Sequence, residues 1–195
     1  MKKRELVVAP LCEAALILVA GVTAWLTHKP LFFASLGPTA FEMIESPERP
    51  SARPYNVILG HFIGVLSGFA ALALTHAWAS PAVSTSSISL VRVWAAVLAG
   101  LLTVFGTLLA RAQQPAALST SLMIATGSMQ RLQDAPVIMA AILLITALGE
   151  PLRRWRLRNQ GEPPQSHQKR VLRSQVADQG SVPERKYTLS ERAGK

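Results

Sequence analysis

The sequence contains little cysteine and none of the short motifs that accompany catalysis or metal binding. Cys12 is its single cysteine, so no internal disulfide can stabilise the fold and no Cys/His cluster is available for a metal. A nucleophile elbow, a phosphate-binding glycine loop and the His/Glu spacing of metal sites are all missing. We therefore expect no enzyme activity, no catalytic residues, no cofactor and no metal.

Charge is also scarce through most of the chain. The net charge is +9, yet residues 6–150 balance six basic side chains against six acidic ones. The excess lies in residues 1–5 and in residues 151–195, which hold eleven basic and four acidic side chains. Nucleic-acid binding needs a basic face on a folded domain, so we expect no nucleic-acid partner. Basic ends around apolar spans instead predict a multi-pass protein of the inner (plasma) membrane with both termini cytoplasmic.

Long apolar stretches occupy the neutral part of the chain. Crossing a bilayer core takes roughly 20 helical residues. Four stretches approach that length, at residues 6–26, 56–79, 90–110 and 134–149. Two more are shorter, residues 31–44, which Gly37 and Pro38 interrupt, and residues 115–130. The sequence predicts an all-α, polytopic transmembrane helical bundle of four long spans and two short broken helices.

The two ends of the chain carry further expectations. Lys2 to Arg4 before an apolar run also resembles a signal peptide, but Glu13 interrupts the run and more spans follow, so we favour a transmembrane helix. At the other end the last span runs on to Arg158, and the polar, basic residues after it cannot bury enough apolar surface to order. We predict a transmembrane domain over residues 1–158 and a disordered cytoplasmic tail over residues 159–195.

The order of the stretches suggests an internal repeat. With both termini cytoplasmic the number of crossings is even, so the chain crosses either four times with two re-entrant segments or six times. In the six-crossing arrangement both halves run long, short, long from opposite sides of the membrane. That is a 3+3 inverted repeat.

The two short stretches lie at matching places in these halves. Short or interrupted apolar segments at such places point to a transporter's binding site, and a half-helix N-terminus suits a small anion. The alternative is that both are tightly packed re-entrant helices with small residues at helix contacts. Gly60, Gly64 and Gly68 form a face that lets a helix of the same chain, or of an oligomer partner, approach closely.

Two polar side chains in the spans each allow more than one role. His61 either bonds a neighbouring loop or serves a proton relay. Arg92 either snorkels to the membrane surface or draws anions into a vestibule. The loop after the first short stretch is predicted to hold a set of surface salt bridges, between Glu42 and Glu45 on one side and Arg49 and Arg53 on the other.

The first short stretch and the span after it carry two short motifs. Residues 35–41 read SLGPTAF, and Pro54, Asn56, Gly60 and His61 follow. These residues resemble the HPP family of membrane proteins, since they match the family's Leu-Gly-(Pro/Ala)-(Thr/Ser)-Ala and Pro-x-Asn-x-x-x-Gly-His patterns, and the resemblance covers about residues 10–150. The His-Pro-Pro motif of the family is degenerate, since Gln114 stands in place of its histidine and Ala116 in place of its second proline.

The resemblance implies a possible role in small-anion transport, because some members of the family are nitrite transporters. We therefore predict a transporter or channel for a small inorganic anion such as nitrite, with the lipid bilayer and that anion as its partners. The alternative is a non-transporting membrane scaffold whose basic tail binds a partner or anionic lipid. The candidate substrate-binding residues are Ser35, Gly37, Thr39, His61, Gln114, Ser119, Thr120 and Ser121.

Overall fold

The computed structural model of the protein describes residues 5–28, 33–85 and 87–159. Within them the chain is helical and contains no strand. Two 3₁₀ turns, Pro50–Ala52 and Ala77–Ala79, separate longer elements. The α-helices are α1 (Glu5–Thr27), α2 (Leu36–Glu45), α3 (Pro54–Leu74), α4 (Leu90–Leu109), α5 (Pro115–Ala125) and α6 (Asp134–Asn159). The predicted disordered tail, apart from Asn159, lies outside the described residues.

Four of these helices are long and apolar enough to cross a membrane: α1, α3, α4 and α6. Large apolar side chains on their outer faces are exposed, such as Leu18 and Trp25 on α1 and Leu101 and Phe105 on α4. Such faces are stable against lipid and not against water. The prediction of an all-α bundle with four long spans and two short helices is therefore confirmed, and the protein is a multi-pass membrane protein.

The helix starts differ from the sequence prediction in two places. Helix α2 begins only at Leu36, so Gly37 and Pro38 lie in its first turn and do not break it; a proline there costs no helical hydrogen bond. The second long stretch starts before residue 56, where the sequence placed its beginning. Helix α3 begins at Pro54, since proline suits the first helical position, and the Asn56 side chain donates to Pro50 O at 2.6 Å.

The carboxyl ends of α2 and α6 lie at the same end of the bundle. Arg153 Nη1 donates to Pro47 O at 2.8 Å, and Arg156 Nε donates to Ile44 O at 3.1 Å. A groove of about 510 Å³ between α3 and α6 is lined by Pro54 together with Glu150, which brings the start of α3 to this end as well. The loop between α2 and α3 therefore packs beside the basic end of α6.

The opposite end of the bundle joins the end of α3, the start of α4 and the end of α5. Arg92 in the first turn of α4 donates from Nη1 to Ala125 O at 2.9 Å and from Nε to Pro81 O at 3.2 Å. Val83 N donates to Thr126 O at 3.0 Å. Helices α2 and α5 therefore end at opposite ends of the bundle.

The contacts between helices fall into matching pairs. The contact of α1 with α2 corresponds to that of α4 with α5, and the contact of α1 with α6 corresponds to that of α4 with α3. The contact of α2 with α6 corresponds to that of α5 with α3. Two further extensive contacts join α2 to α5 and α3 to α6. Each of these extensive contacts thus has a counterpart when the three helices of one half are exchanged for those of the other.

Candidate functional site

A ring of hydrogen bonds surrounds His61 where both short helices meet α3. His61 Nε2 lies 2.9 Å from Thr39 Oγ1 on α2, and Nδ1 lies 2.7 Å from Thr120 Oγ1 on α5. Thr120 Oγ1 in turn lies 2.9 Å from Ser35 Oγ, at the start of α2. Thr39 Oγ1 donates to Ser35 O at 2.8 Å, which closes the ring. We call these four residues the His61 ring.

The His61 ring lies deep inside the protein, and none of the hydrogen bonds or ion pairs of the described residues joins it to a charged partner. All four side chains are fully buried. His61 is the eighth residue of α3, so it lies about 10 Å along the helix from Pro54, inside a helix long and apolar enough to cross a membrane. Buried polar groups are tolerated there because each finds a partner in the ring.

The glycine face of α3 places Thr120 beside His61. A methyl group on Gly64 would lie 2.5 Å from Ala117 O, and one on Gly68 would lie 2.8 Å from Ile124 Cβ. No other side chain allows α5 to come this close. Because the backbone of α5 packs directly on these glycines, the Thr120 hydroxyl on α5 reaches the His61 imidazole on α3.

Gln114 is the N-cap of α5 and packs against the same face. A methyl group on Gly60 would lie 2.6 Å from Gln114 Cβ. The Gln114 side chain is 4% exposed, yet within the part of the chain that the structure describes neither its amide nitrogen nor its amide oxygen has a hydrogen-bond partner. A buried group left unbonded costs about 1–3 kcal/mol, so this amide can bind a further polar group with little competition from the protein.

The other predicted binding residues lie outside the ring. Gly37 has open space beside it, with no atom within 4 Å of the position a methyl group would take. Ser121 is buried, but its hydroxyl donates to Leu118 O on its own helix at 3.0 Å. Ser119, on α5 next to Thr120, is partly exposed and has no contact with the ring among the bonds of the described residues.

The predicted bond from His61 to a neighbouring loop is wrong. Both ring nitrogens bond hydroxyls on helices, because Gly60 and Gly64 admit α5 where a loop was expected. The other role weighed for this residue, a proton relay, stays a prediction.

The predicted snorkelling of Arg92 is also wrong. Its side chain is 1% exposed, and the guanidinium donates to Ala125 O, Pro81 O and Ser80 O and to Gln130 Oε1. These acceptors surround it, because the α3–α4 loop, the end of α5 and the α5–α6 loop all lie over the start of α4. Arg92 therefore joins loops at one end of the bundle and does not line an open vestibule.

The salt bridges predicted for the loop after α2 do not reach ion-pair distance within the described residues, although the charge of Arg49 acts on Glu42. Glu42 Oε1 accepts a hydrogen bond from Ser51 Oγ at 3.0 Å, while Glu45 is exposed. The ion pairs within the described residues lie on α6, where Glu150 binds Arg153 and Arg154 at 2.6 Å each. Spacing of three and four residues along one helix holds that set together, which the sequence prediction did not consider.

Metal ligands do not gather near the ring. Across residues 5–28, 33–85 and 87–159, no three His, Cys, Asp or Glu side chains are close enough to share an ion. The ring itself offers one imidazole and three hydroxyls. Chemically it can donate and accept hydrogen bonds and hold a proton.

A family comparison identifies the chain. Residues 2–150 match the protein family described as HPP, transmembrane region. The protein belongs to the HPP family. In this HPP protein the match covers all six helices up to Glu150 of α6 and includes the whole His61 ring. No curated protein and no solved structure matches the chain.

Proposed function

We propose that this HPP protein is a carrier for a small inorganic anion such as nitrite, with its site between the His61 ring and Gln114. The observation that carries the proposal is the buried, unbonded amide of Gln114 at the N-terminus of α5. The amide nitrogen is a neutral donor, and the N-terminal end of α5 adds the positive end of a helix dipole.

Neutral donors suit a monovalent anion in a bilayer. A permanently charged lysine or arginine at this depth would be costly and would hold the ion too tightly to release it. Amide, hydroxyl and imidazole donors replace part of the hydration shell without a fixed charge. Gln114 and Ser35 supply such groups from the starts of the two short helices.

Burial of the ring favours a carrier over an open pore. Ser35, Thr39, His61 and Thr120 leave no surface accessible to water. An ion therefore reaches them only after helices move. The matching helix contacts of the two halves support an inverted repeat, in which one half rocks against the other to open the site to either side.

The packing of the helix ends supports six crossings with both termini in the cytoplasm. The loop between α2 and α3 packs beside Arg153 and Arg156 of α6, and a basic helix end favours the cytoplasmic side. Helix α2 starts at Ser35 in the interior and ends at this surface. The chain then passes from one side to the other between α1 and α3, which a re-entrant segment would not do.

Nitrite uptake into proteoliposomes tests the function. We expect Gln114→Leu to reduce uptake by about tenfold or more, since a hydrogen bond to a charged group contributes about 1.5–3 kcal/mol. The same change should leave thermal stability unchanged or higher, because it removes a buried group without a partner.

The matched control is Thr103→Val. Thr103 is a buried threonine on α4 that bonds only Ala99 O of its own helix, and its variant should transport normally. The proposal is wrong if wild-type protein moves no nitrite, or if Gln114→Leu transports like the wild type.

A further inference from the structure

The number of hydrogen atoms in the His61 ring limits how its bonds can be arranged. Thr39 has one hydroxyl hydrogen, and Ser35 O, a carbonyl, can only accept it. Thr39 Oγ1 must then accept from His61 Nε2, which carries a hydrogen. In a neutral imidazole the other nitrogen, Nδ1, has no hydrogen and accepts one from Thr120.

In this neutral form every hydrogen of the ring is used. The Thr120 hydrogen is then directed to His61 Nδ1. The 2.9 Å contact between Thr120 Oγ1 and Ser35 Oγ joins two hydroxyls, either of which can donate, and in this neutral form Ser35 has to be the donor. All four contacts are then hydrogen bonds. The other neutral tautomer would turn Thr39 towards Nε2 and leave two oxygens, Thr39 Oγ1 and Ser35 O, facing each other at 2.8 Å without a hydrogen. It is therefore disfavoured.

A proton added to Nδ1 reverses the direction of two of the four hydrogen bonds in the ring. His61 then donates from both nitrogens, so Thr120 Oγ1 accepts from Nδ1 and turns its own hydrogen to Ser35 Oγ. The Ser35 hydrogen is no longer needed inside the ring. Ser35 makes no capping bond to α2, so its hydroxyl becomes a free donor beside a newly positive imidazole.

We infer that anion binding and protonation of His61 are coupled, so that the protein carries about one proton with each anion. The inference rests on the proposed function. The step is balanced: a proton from water joins the Nδ1 lone pair, two hydroxyl groups rotate, and the anion accepts the hydrogen bond that Ser35 releases. Loss of the anion on the other side returns the proton to water, and the neutral ring closes again.

No other charged group takes the place of His61 in this scheme. Helix α5 has no ionisable side chain, and α3 has only Tyr55, which is exposed, besides His61. The other helices that face the α3 region carry further ionisable groups. Each of these groups bonds elsewhere or is exposed, and in the described residues none of them bonds the ring. They are Glu42 and Glu45 on α2, Arg92 on α4, and Asp134, Glu150, Arg153, Arg154, Arg156 and Arg158 on α6. Charge compensation for an anion at the ring therefore falls to His61.

Calorimetric titration of the purified full chain with sodium nitrite tests the coupling. The heat of nitrite binding measured at pH 7.5 differs between phosphate and Tris, for each proton exchanged, by the difference between the two buffers' heats of ionisation. The two titrations together therefore count protons directly. We expect uptake of about one proton per nitrite in the wild type. His61→Gln should bind nitrite without proton uptake, whereas His76→Gln, at an exposed loop histidine, should behave like the wild type.

A second measurement needs no variant and so survives any folding defect of His61→Gln. The nitrite affinity of the wild type should fall about tenfold per pH unit over the pH range in which His61 is neutral in the free protein and protonated in the nitrite complex. Nitrite binding without proton uptake and without pH dependence would overturn the coupling and leave anion transport standing. Failure of the wild type to bind nitrite at any pH would overturn the proposed function and this inference together.

Discussion

Gly60 and Gln114 are packed so closely that no side chain larger than hydrogen fits between their backbones. A methyl group on Gly60 would lie 2.6 Å from Gln114 Cβ and 3.3 Å from Ala112 O. The contact fixes the start of α5 against α3 at Gly60, the residue that precedes His61.

Alanine at Gly64 should therefore destabilise the bundle. Its methyl group would meet Ala117 O at 2.5 Å, an atom of the α5 backbone that cannot rotate away. We expect a loss of about 1–3 kcal/mol and a lower melting temperature in detergent. Gly100→Ala is the control, because its methyl group would meet only Leu118 Cδ1 at an ordinary 3.5 Å. Equal melting temperatures for the two variants would contradict the packing.

Arg92→Met should weaken the end of the bundle where α4 begins. The change leaves several buried carbonyl oxygens without a donor, and we expect a loss of about 3 kcal/mol in stability. Limited proteolysis of the loop between α3 and α4 reports it. Arg131→Met, at an exposed arginine, is the matched control and should be cleaved no faster than the wild type.

The helices could be predicted from the sequence, whereas the arrangement of the ring could not. Apolar length alone defines α1, α3, α4 and α6, because a bilayer core demands it. Which of the three hydroxyl side chains Ser119, Thr120 and Ser121 faces His61 depends on the rotation of α5 about its axis. Contacts with Gly64 and Gly68 set that rotation, and the sequence shows the glycines without showing which helix covers them.

Arg92 illustrates the same limit at the bundle end. Its position at the start of a span favours snorkelling when the helix is considered alone. The carbonyl acceptors come from Ser80, Pro81 and Ala125, at 12, 11 and 33 residues' distance along the chain. Nothing in the local pattern brings them together. Only the fold does so, by placing the α3–α4 loop and the end of α5 over the start of α4.

Removal of residues 160–195 should leave nitrite uptake unchanged. The His61 ring, Gln114 and the arginines that bind the α2–α3 loop all precede Asn159. Truncation after Leu152 is the informative comparison, because it also removes Arg153 and Arg156 and with them the bonds to Pro47 O and Ile44 O. We expect that shorter protein to lose stability and uptake. If the 160–195 deletion alone abolishes uptake in proteoliposomes, the tail and not the bundle is required for transport.

Three single cysteines in a Cys12→Ala background distinguish six crossings from four. With six, Ser46 lies on the cytoplasmic side, and Ser84 and Ser128 both lie on the opposite side. With four crossings and two re-entrant helices, Ser46 and Ser128 share the outer side and Ser84 is cytoplasmic. Ser84 and Ser128 are exposed and Ser46 partly so, which allows all three to be labelled.

Labelling with a membrane-impermeant maleimide before and after cell lysis gives the result. We expect Ser84→Cys and Ser128→Cys to react in intact spheroplasts and Ser46→Cys only after lysis. The physical reason is the pair of bonds from Arg153 and Arg156 to the end of α2, since a loop held by the basic end of α6 must share its side of the membrane. Reaction of Ser46→Cys in intact spheroplasts would place that loop outside, and the inverted repeat would then have no topological basis.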